Sequence, residues 1–388
     1  MSGLPRAAIV MGTRPEAIKL APVVRALRER GRMQPLLVST GQHRQMLDQA
    51  LDVFGLRPDV DLAVMKTGQS LHDVTARTLE GMRRVLHQYR PEWVVVQGDT
   101  TTAFAAALAA FYDKLPVAHV EAGLRSGDRY SPFPEEINRR LVDQISEVLF
   151  APTDSARDLL VREGYPLERV HVTGNTVVDA LLAVRDVVRR QRTGLPGLRA
   201  TRLRGKRLIL VTAHRRESFG PGVEAICRAM LRIVAAHPDV CIVYPVHLNP
   251  NVDEPVRRVL GGEPRVVLLP PVSYLEFVVL LDRAHFVLTD SGGVQEEAPT
   301  FGKPLLVMRD VTERPEGIAA GVARLVGTSE ERIFAEAARL LSDPAHYASM
   351  ATGNNPYGDG KASARIAAVL EQVSSAAATE LIGAAPAA

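Results

Sequence analysis

The stretch Phe286-Val287-Leu288-Thr289-Asp290-Ser291-Gly292-Gly293-Val294-Gln295-Glu296-Glu297 decides the fold class. Four apolar or β-branched residues end at an acid, two glycines follow, and a helix-compatible run opens at Val294. A short buried strand that passes through a glycine turn into a helix is the repeating unit of parallel sheets covered on both faces. The same rhythm recurs along most of the 388 residues. Strands are predicted at 7–11, 36–39, 93–97, 117–120, 148–150 and 170–172, and again at 208–212, 240–244, 266–269, 286–289, 305–308 and 323–326. Helices over 70–89, 176–190 and 222–236 lie among them. Two such series predict an α/β chain of two doubly wound domains, residues 1–190 and 191–362. A last helix and a frayed Ala-rich tail occupy 363–388. The boundary is expected in 191–206, which is rich in Arg, Gly and Pro and lacks an apolar period, with Thr173-Gly174-Asn175 as the alternative.

Composition narrows the function classes. Hydrophobic residues make up 46% and charged residues 23%, as in ordinary globular proteins. The formal charge is +3, but the 47 basic and 44 acidic residues are interspersed, so no nucleic-acid-binding stripe is expected. Cys227 and Cys241 fall in apolar segments without metal or disulfide spacing and read as reduced core thiols of a cytoplasmic protein. Arg14, Glu16 and Lys19 interrupt the N-terminal apolar run, so no secretory signal is expected there. No run reaches the roughly 18 apolar residues of a membrane span; 103–112 reads as a buried helix. There is no P-loop and no HExxH. Gly220-Pro221-Gly222 imitates a dinucleotide fingerprint without directly following a strand, and Asp59-Val60-Asp61 reads as a surface loop. No cofactor and no metal are expected.

In open parallel sheets, ligands bind beyond the carboxyl ends of the strands. Those positions are unusually polar here: Gly12-Thr13-Arg14-Pro15-Glu16, Gln97-Gly98-Asp99-Thr100 and Glu121-Ala122-Gly123 in the first series, then His214-Arg215-Arg216-Glu217, His247 and Asp290-Ser291-Gly292-Gly293 in the second. Glycines at 292 and 293 let the backbone approach a phosphate, although the pair alone fits a plain tight turn equally well. Arg14, Lys19, Arg215 and Arg314 add cations suited to phosphate oxygens. Asp99, Glu121 and the pair Glu135-Glu136 are the acid/base candidates, because crowded carboxylates shift one another's proton affinity. Helix capping is the plainer reading of Asp99 and of Glu135-Glu136.

Taken together, His119-Val120-Glu121-Ala122-Gly123-Leu124-Arg125-Ser126, Pro132-Phe133-Pro134-Glu135-Glu136-Ile137-Asn138-Arg139, His214-Arg215-Arg216-Glu217, Asp290-Ser291-Gly292-Gly293 with Glu296-Glu297, and Thr312-Glu313-Arg314-Pro315-Glu316 resemble the bacterial non-hydrolysing UDP-N-acetylglucosamine 2-epimerases. The likeness runs from about residue 9 to 360 with the motifs in the same order. It implies a glycosyltransferase B-type fold, two Rossmann-like domains facing a central cleft, and a homodimer. It implies reversible conversion of UDP-N-acetylglucosamine to UDP-N-acetylmannosamine, by elimination of UDP to a 2-acetamidoglucal and re-addition, supplying N-acetylmannosamine units for cell-surface polysaccharide. Carried over by motif, Asp99, Glu121, Glu135 and His214 are catalytic. Arg14, Lys19, Arg139, Phe277, Ser291, Gly292, Gly293, Glu297 and Arg314 bind the UDP-sugar. Val272 stands where some members carry a polar residue near the uracil, and Ala213 where Thr or Gly is commoner.

Many bacterial members also share Gln42, His43, Gln45, Gln69, Glu136, Arg215 and His247, which in those relatives hold a second UDP-N-acetylglucosamine as an activator. The plainer reading of 42–46 is the start of a helix. Three other functions fit the same fold: a glycosyltransferase, a hydrolysing 2-epimerase that releases free N-acetylmannosamine, and a catalytically idle nucleotide-sugar sensor.

Overall fold

A computed structural model of the chain describes residues 4–41, 44–66, 68–191, 194 and 205–383. It contains two wholly parallel sheets. The first is built from β1 (Arg6–Met11), β2 (Gln34–Ser39), β3 (Val60–Asp61), β4 (Trp93–Gln97), β5 (Val117–Val120), β6 (Val148–Ala151) and β7 (Val170–Val172), in the order β3-β2-β1-β4-β5-β6-β7. The second is built from β8 (Arg207–Thr212), β9 (Val240–Pro245), β10 (Val266–Leu269), β11 (Phe286–Thr289), β12 (Leu305–Val307) and β13 (Ala323–Leu325), in the order β10-β9-β8-β11-β12-β13. Each sheet winds outward in both directions from its first strand. The order therefore reverses between β1 and β4 in one and between β8 and β11 in the other, which is where such sheets open a crevice for ligands.

The strands form because their residues are apolar on both faces. Ala7, Ala8 and Ile9 of β1 and Phe286, Val287 and Leu288 of β11 are wholly buried. Ile226, Met230 and Ile233 of helix Pro221–Ala236 pack into the core shared with Phe286 and Leu288. Asp59-Val60-Asp61, expected as a loop, instead contributes the edge strand β3; Val38↔Val60 and Ser39↔Asp61 set its register, and the Leu37 N–H donates to Asp59 Oδ2 at 2.8 Å. Its alternation was too short to register as a strand.

The chain divides into two compact units, Met1–Ala180 with Gly358–Ala388, and Leu181–Tyr357. The division falls inside helix Thr176–Gln191, ahead of the 191–206 segment, most of which lies outside the described residues. The last helix, Ala362–Gly383, belongs to the first unit. Its N-terminal turn is held by Asp179, whose carboxylate accepts from the Ala362 and Ser363 N–H groups at 3.2 and 2.8 Å, and Arg30 pairs with Glu371 at 2.7 Å. The tail beyond residue 383 lies outside the described residues. Among the described residues no helix is long and apolar enough to cross a membrane.

Candidate active site

In the first unit, one buried carboxylate fastens the loops on either side of the strand-order reversal. Glu16 lies in the first turn of helix Arg14–Arg30, whose cap is Thr13. Its Oε2 accepts from the Gly12 and Thr13 N–H groups at 2.7 and 2.6 Å, and its Oε1 from the Thr100 hydroxyl at 2.6 Å. Burial pushes the Glu16 carboxyl up, against the pull of these bonds. The same Thr100 caps helix Thr101–Tyr112, its Oγ1 accepting from the Ala103 N–H at 3.0 Å. Capping therefore does not occupy Asp99, which instead forms a close ion pair with Arg139. Asn138 donates to the Asp99 carbonyl at 3.0 Å, so both partners of Asp99 come from helix Glu135–Ile145. Glu135 is the first residue of that helix and is half-buried.

Glu121 follows β5 with φ +70°, in the left-handed region that costs a non-glycine residue on the order of 1–3 kcal/mol. Its surroundings impose this conformation. The Glu121 and Ala122 N–H groups both donate to the Phe150 carbonyl, at 3.1 and 3.0 Å. A Cβ on Gly123 would lie 2.6 Å from the Ala156 carbonyl oxygen, so the turn has no room to relax there. The Glu121 carboxylate pairs closely with Lys19 and accepts from Asn175 Nδ2 at 3.1 Å. Beneath it, the wholly buried His119 places Nδ1 2.6 Å from Asp143 Oδ1 and Nε2 2.8 Å from the Gly98 carbonyl, and Arg125 reaches Asp143 Oδ2 at 2.8 Å. The loops after β4 and β5 are thus tied from below as well.

In the second unit the reversal falls between β8 and β11, and Asp290 joins the loops that follow them. Its Oδ2 accepts from the His214 and Arg215 N–H groups at 2.7 and 2.8 Å, and its Oδ1 lies 3.4 Å from His214 Nδ1. Burial holds the His214 imidazole below its ordinary value; Asp290 opposes the fall, while Arg215 and His247 add to it. The His247 ring stacks on that of His214 with centroids 5.7 Å apart. Gly292 opens helix Gly292–Glu297, and the Arg314 guanidinium lies directly against it: a Cβ at Gly292 would meet Arg314 Cζ at 2.9 Å. Arg314 Nε donates to Glu296 Oε1 at 2.9 Å, and its carbonyl accepts from the Tyr357 hydroxyl at 3.1 Å. Arg309 bridges Glu217 and Glu313 at 2.6 and 2.5 Å, linking the β8 loop to the segment that carries Arg314. Tyr274 donates to Glu297 Oε1 at 3.1 Å, and Phe277 lies three residues further along the same helix, Tyr274–Arg283.

Such an arrangement can offer carboxylates for proton transfer in the first unit and, in the second, the Arg314 guanidinium and the His214 imidazole beside a glycine turn to an anion. A family model of UDP-N-acetylglucosamine 2-epimerase matches residues 25–371. The chain belongs to this family. The UDP-N-acetylglucosamine 2-epimerase of Salmonella typhimurium is 54% identical over 369 residues, covering 93% of this chain and 97% of its own length. The crystal structure of UDP-GlcNAc 2-epimerase from Neisseria meningitidis bound to UDP-GlcNAc superimposes with a TM-score of 0.87 at 44% identity, covering 95% of this chain and all of that one. A glycosyltransferase of kitacinnamycin, at 15% identity and TM-score 0.64 over 96% and 99% of the two chains, shares the fold alone.

Within this member of the UDP-N-acetylglucosamine 2-epimerase family, the motif residues assemble by unit. Asp99, Glu121, Lys19 and Arg139 form two ion pairs in the first; Lys19, expected on UDP, contacts Glu121. His214, Ser291, Gly292, Gly293, Arg314 and Glu297 gather around the β8 and β11 ends in the second. The residues expected to hold an activator are placed less uniformly. Gln42, His43 and the side chain of Gln45 lie outside the described residues. Gln69 is engaged locally by Lys66 and Arg77. Glu136 is wholly buried; burial pushes its carboxyl up, but the Ser126 N–H, Arg140 and Arg139 outweigh this and hold it low. Two supporting residues, Asn175 and Asp143, were not expected in the site, and Glu16, noted at a strand end, had been given no role. Asn175 follows β7, so the strand-end rule applied to that strand would have found it.

Proposed function

We propose that this chain interconverts UDP-N-acetylglucosamine and UDP-N-acetylmannosamine without hydrolysis, by elimination and re-addition of UDP. The hydrogen on C2 of the sugar is not adjacent to a carbonyl, so a carboxylate can remove it only as the C1–O bond breaks. The bonding pair of C2–H then becomes the C1=C2 bond of a 2-acetamidoglucal, and the C1–O pair leaves with the diphosphate. Delivery of a proton to the other face of C2, with attack of a diphosphate oxygen on C1, gives the epimer. Asp99, Glu121 and Glu135 are the groups for the two proton transfers, and Ser291, Gly292, Gly293, Arg314, Arg14 and His214 hold the leaving diphosphate.

The observation that carries this reading is the pairing of Asp99 with Arg139 and of Glu121 with Lys19 and Asn175. Two carboxylates on neighbouring strand ends, held in place by Lys19 and Arg139, offer a proton acceptor and a proton donor for one carbon, whereas glycosyl transfer needs no such set. Positional isotope exchange tests the elimination. UDP-N-acetylglucosamine carrying oxygen-18 in the C1–O–P bridge should scramble the label into non-bridging positions of the β-phosphate during turnover. Epimerisation with the label fixed in the bridge would exclude departure of UDP.

A further inference from the structure

We propose that Asp290 is a positioning residue which holds His214 so that its imidazole takes up a proton as a nucleoside diphosphate binds. This rests on the reading that the second unit holds the diphosphate. The Asp290 side chain is wholly buried. Its Oδ2 is fully used by two backbone N–H groups, while Oδ1 makes no hydrogen bond among the described residues and faces His214 Nδ1 at 3.4 Å. A buried carboxylate oxygen lacking a donor is costly, so Asp290 favours the tautomer with hydrogen on Nδ1. The Nε2 of that neutral ring carries a lone pair, which repels a phosphate oxygen. A proton on Nε2 turns repulsion into a charge-assisted hydrogen bond, and Asp290 then balances the cation from behind.

The groups facing the ring set the sign of the linkage. Asp290 at the end of β11 attracts the proton, whereas Arg215 in the same loop and His247 after β9 oppose it, and burial opposes it too. The free ring is therefore neutral at pH 7.5, and the incoming negative charge supplies what makes it cationic. A proton bound only in the complex makes affinity rise as pH falls, by up to about tenfold per pH unit, until the free ring itself becomes protonated below its ordinary value.

Titration calorimetry of the full chain with UDP at pH 7.5, in buffers of different ionisation enthalpy, counts the protons. Any proton exchanged by UDP itself is common to all variants. The parent should take up nearly one proton more per UDP than His214→Gln, and Asp290→Asn should lose most of that excess while still binding UDP. Equal proton counts in the parent and His214→Gln, or full uptake retained in Asp290→Asn, would overturn the proposal and leave the diphosphate reading intact. Failure of the parent to bind UDP would sink both. Because Asp290→Asn could unfold, nitrogen-15 NMR of the parent's imidazoles, with His214 assigned by its loss in His214→Gln, gives an independent readout. Hydrogen on Nδ1 in the free protein and on both nitrogens with UDP is expected; a free ring carrying hydrogen only on Nε2 would refute the role of Asp290.

Discussion

Substituting Gly292 by alanine should separate the diphosphate grip from the stability of the fold. The added Cβ would stand 2.9 Å from Arg314 Cζ, 3.0 Å from Nη1 and 3.1 Å from Nε. Relief requires the guanidinium to retreat by about 0.5 Å or more to ordinary contact. It has little freedom to do so gently, because its side chain is 15% exposed and tied to Glu296 at 2.9 Å. A charge-assisted hydrogen bond contributes about 1.5–3 kcal/mol, so losing the Arg314 contact to a phosphate should weaken UDP binding by about 10- to 100-fold. Gly292 is the first residue of a six-residue helix and has no positive φ, so alanine brings no backbone strain there. The thermal midpoint should fall by no more than the loosened Arg314–Glu296 pair costs, about a few degrees. Calorimetric titration with UDP beside a melting curve reads both quantities. Binding within threefold of the parent would refute the placement of Arg314 on the ligand, and a large fall in the melting temperature would refute the separation of grip from fold.

Asn175→Ala removes a donor to Glu121 and should lower kcat by about 10- to 100-fold with KM little changed, on the scale of one hydrogen bond to a charged group; steady-state kinetics showing kcat within twofold of the parent would count against it. Burial, with Arg207 and Lys303 assisting, holds the His285 imidazole at about 4, against an ordinary 6.5. Because the unfolded chain takes the proton first, its contribution to stability is present above pH 6.5 and is lost as pH falls from there toward 4. Replacing His285 with Gln should flatten the fall in melting temperature over that window, and an unchanged pH profile would exclude this residue as a source. If the activator reading of Gln45 and His247 holds, initial rates will depend sigmoidally on UDP-N-acetylglucosamine in the parent and hyperbolically in Gln45→Ala; hyperbolic kinetics in the parent would remove it.

The alternation of apolar strands with helices made the fold legible, because residues buried on both faces leave continuous apolar runs such as 93–96 and 286–288. Only β3 escaped, being two residues long at a sheet edge. The strand-end rule likewise drew attention to Asp99, Glu121, His214 and Ser291 before any contact was known. What could not be read was the pairing among them. That Thr100 rather than Asp99 caps the following helix depends on which side chain reaches Ala103, and that choice is set by the tertiary position of Glu16. The left-handed backbone of Glu121 is imposed by Phe150 and Ala156, which lie far along the chain. The return of the last helix to the first unit depends on Asp179 and Arg30, neither of which carries a local signal for it.

The measurement that bears most directly on the proposed reaction is incubation with UDP-N-acetylglucosamine in deuterated water, followed by proton and phosphorus NMR. Proton removal and return at C2 should give UDP-N-acetylmannosamine with deuterium at C2, and deuterium in the recovered substrate as the reverse reaction proceeds. Product that retains its original hydrogen at C2, or free sugar accumulating in step with UDP, would contradict the account.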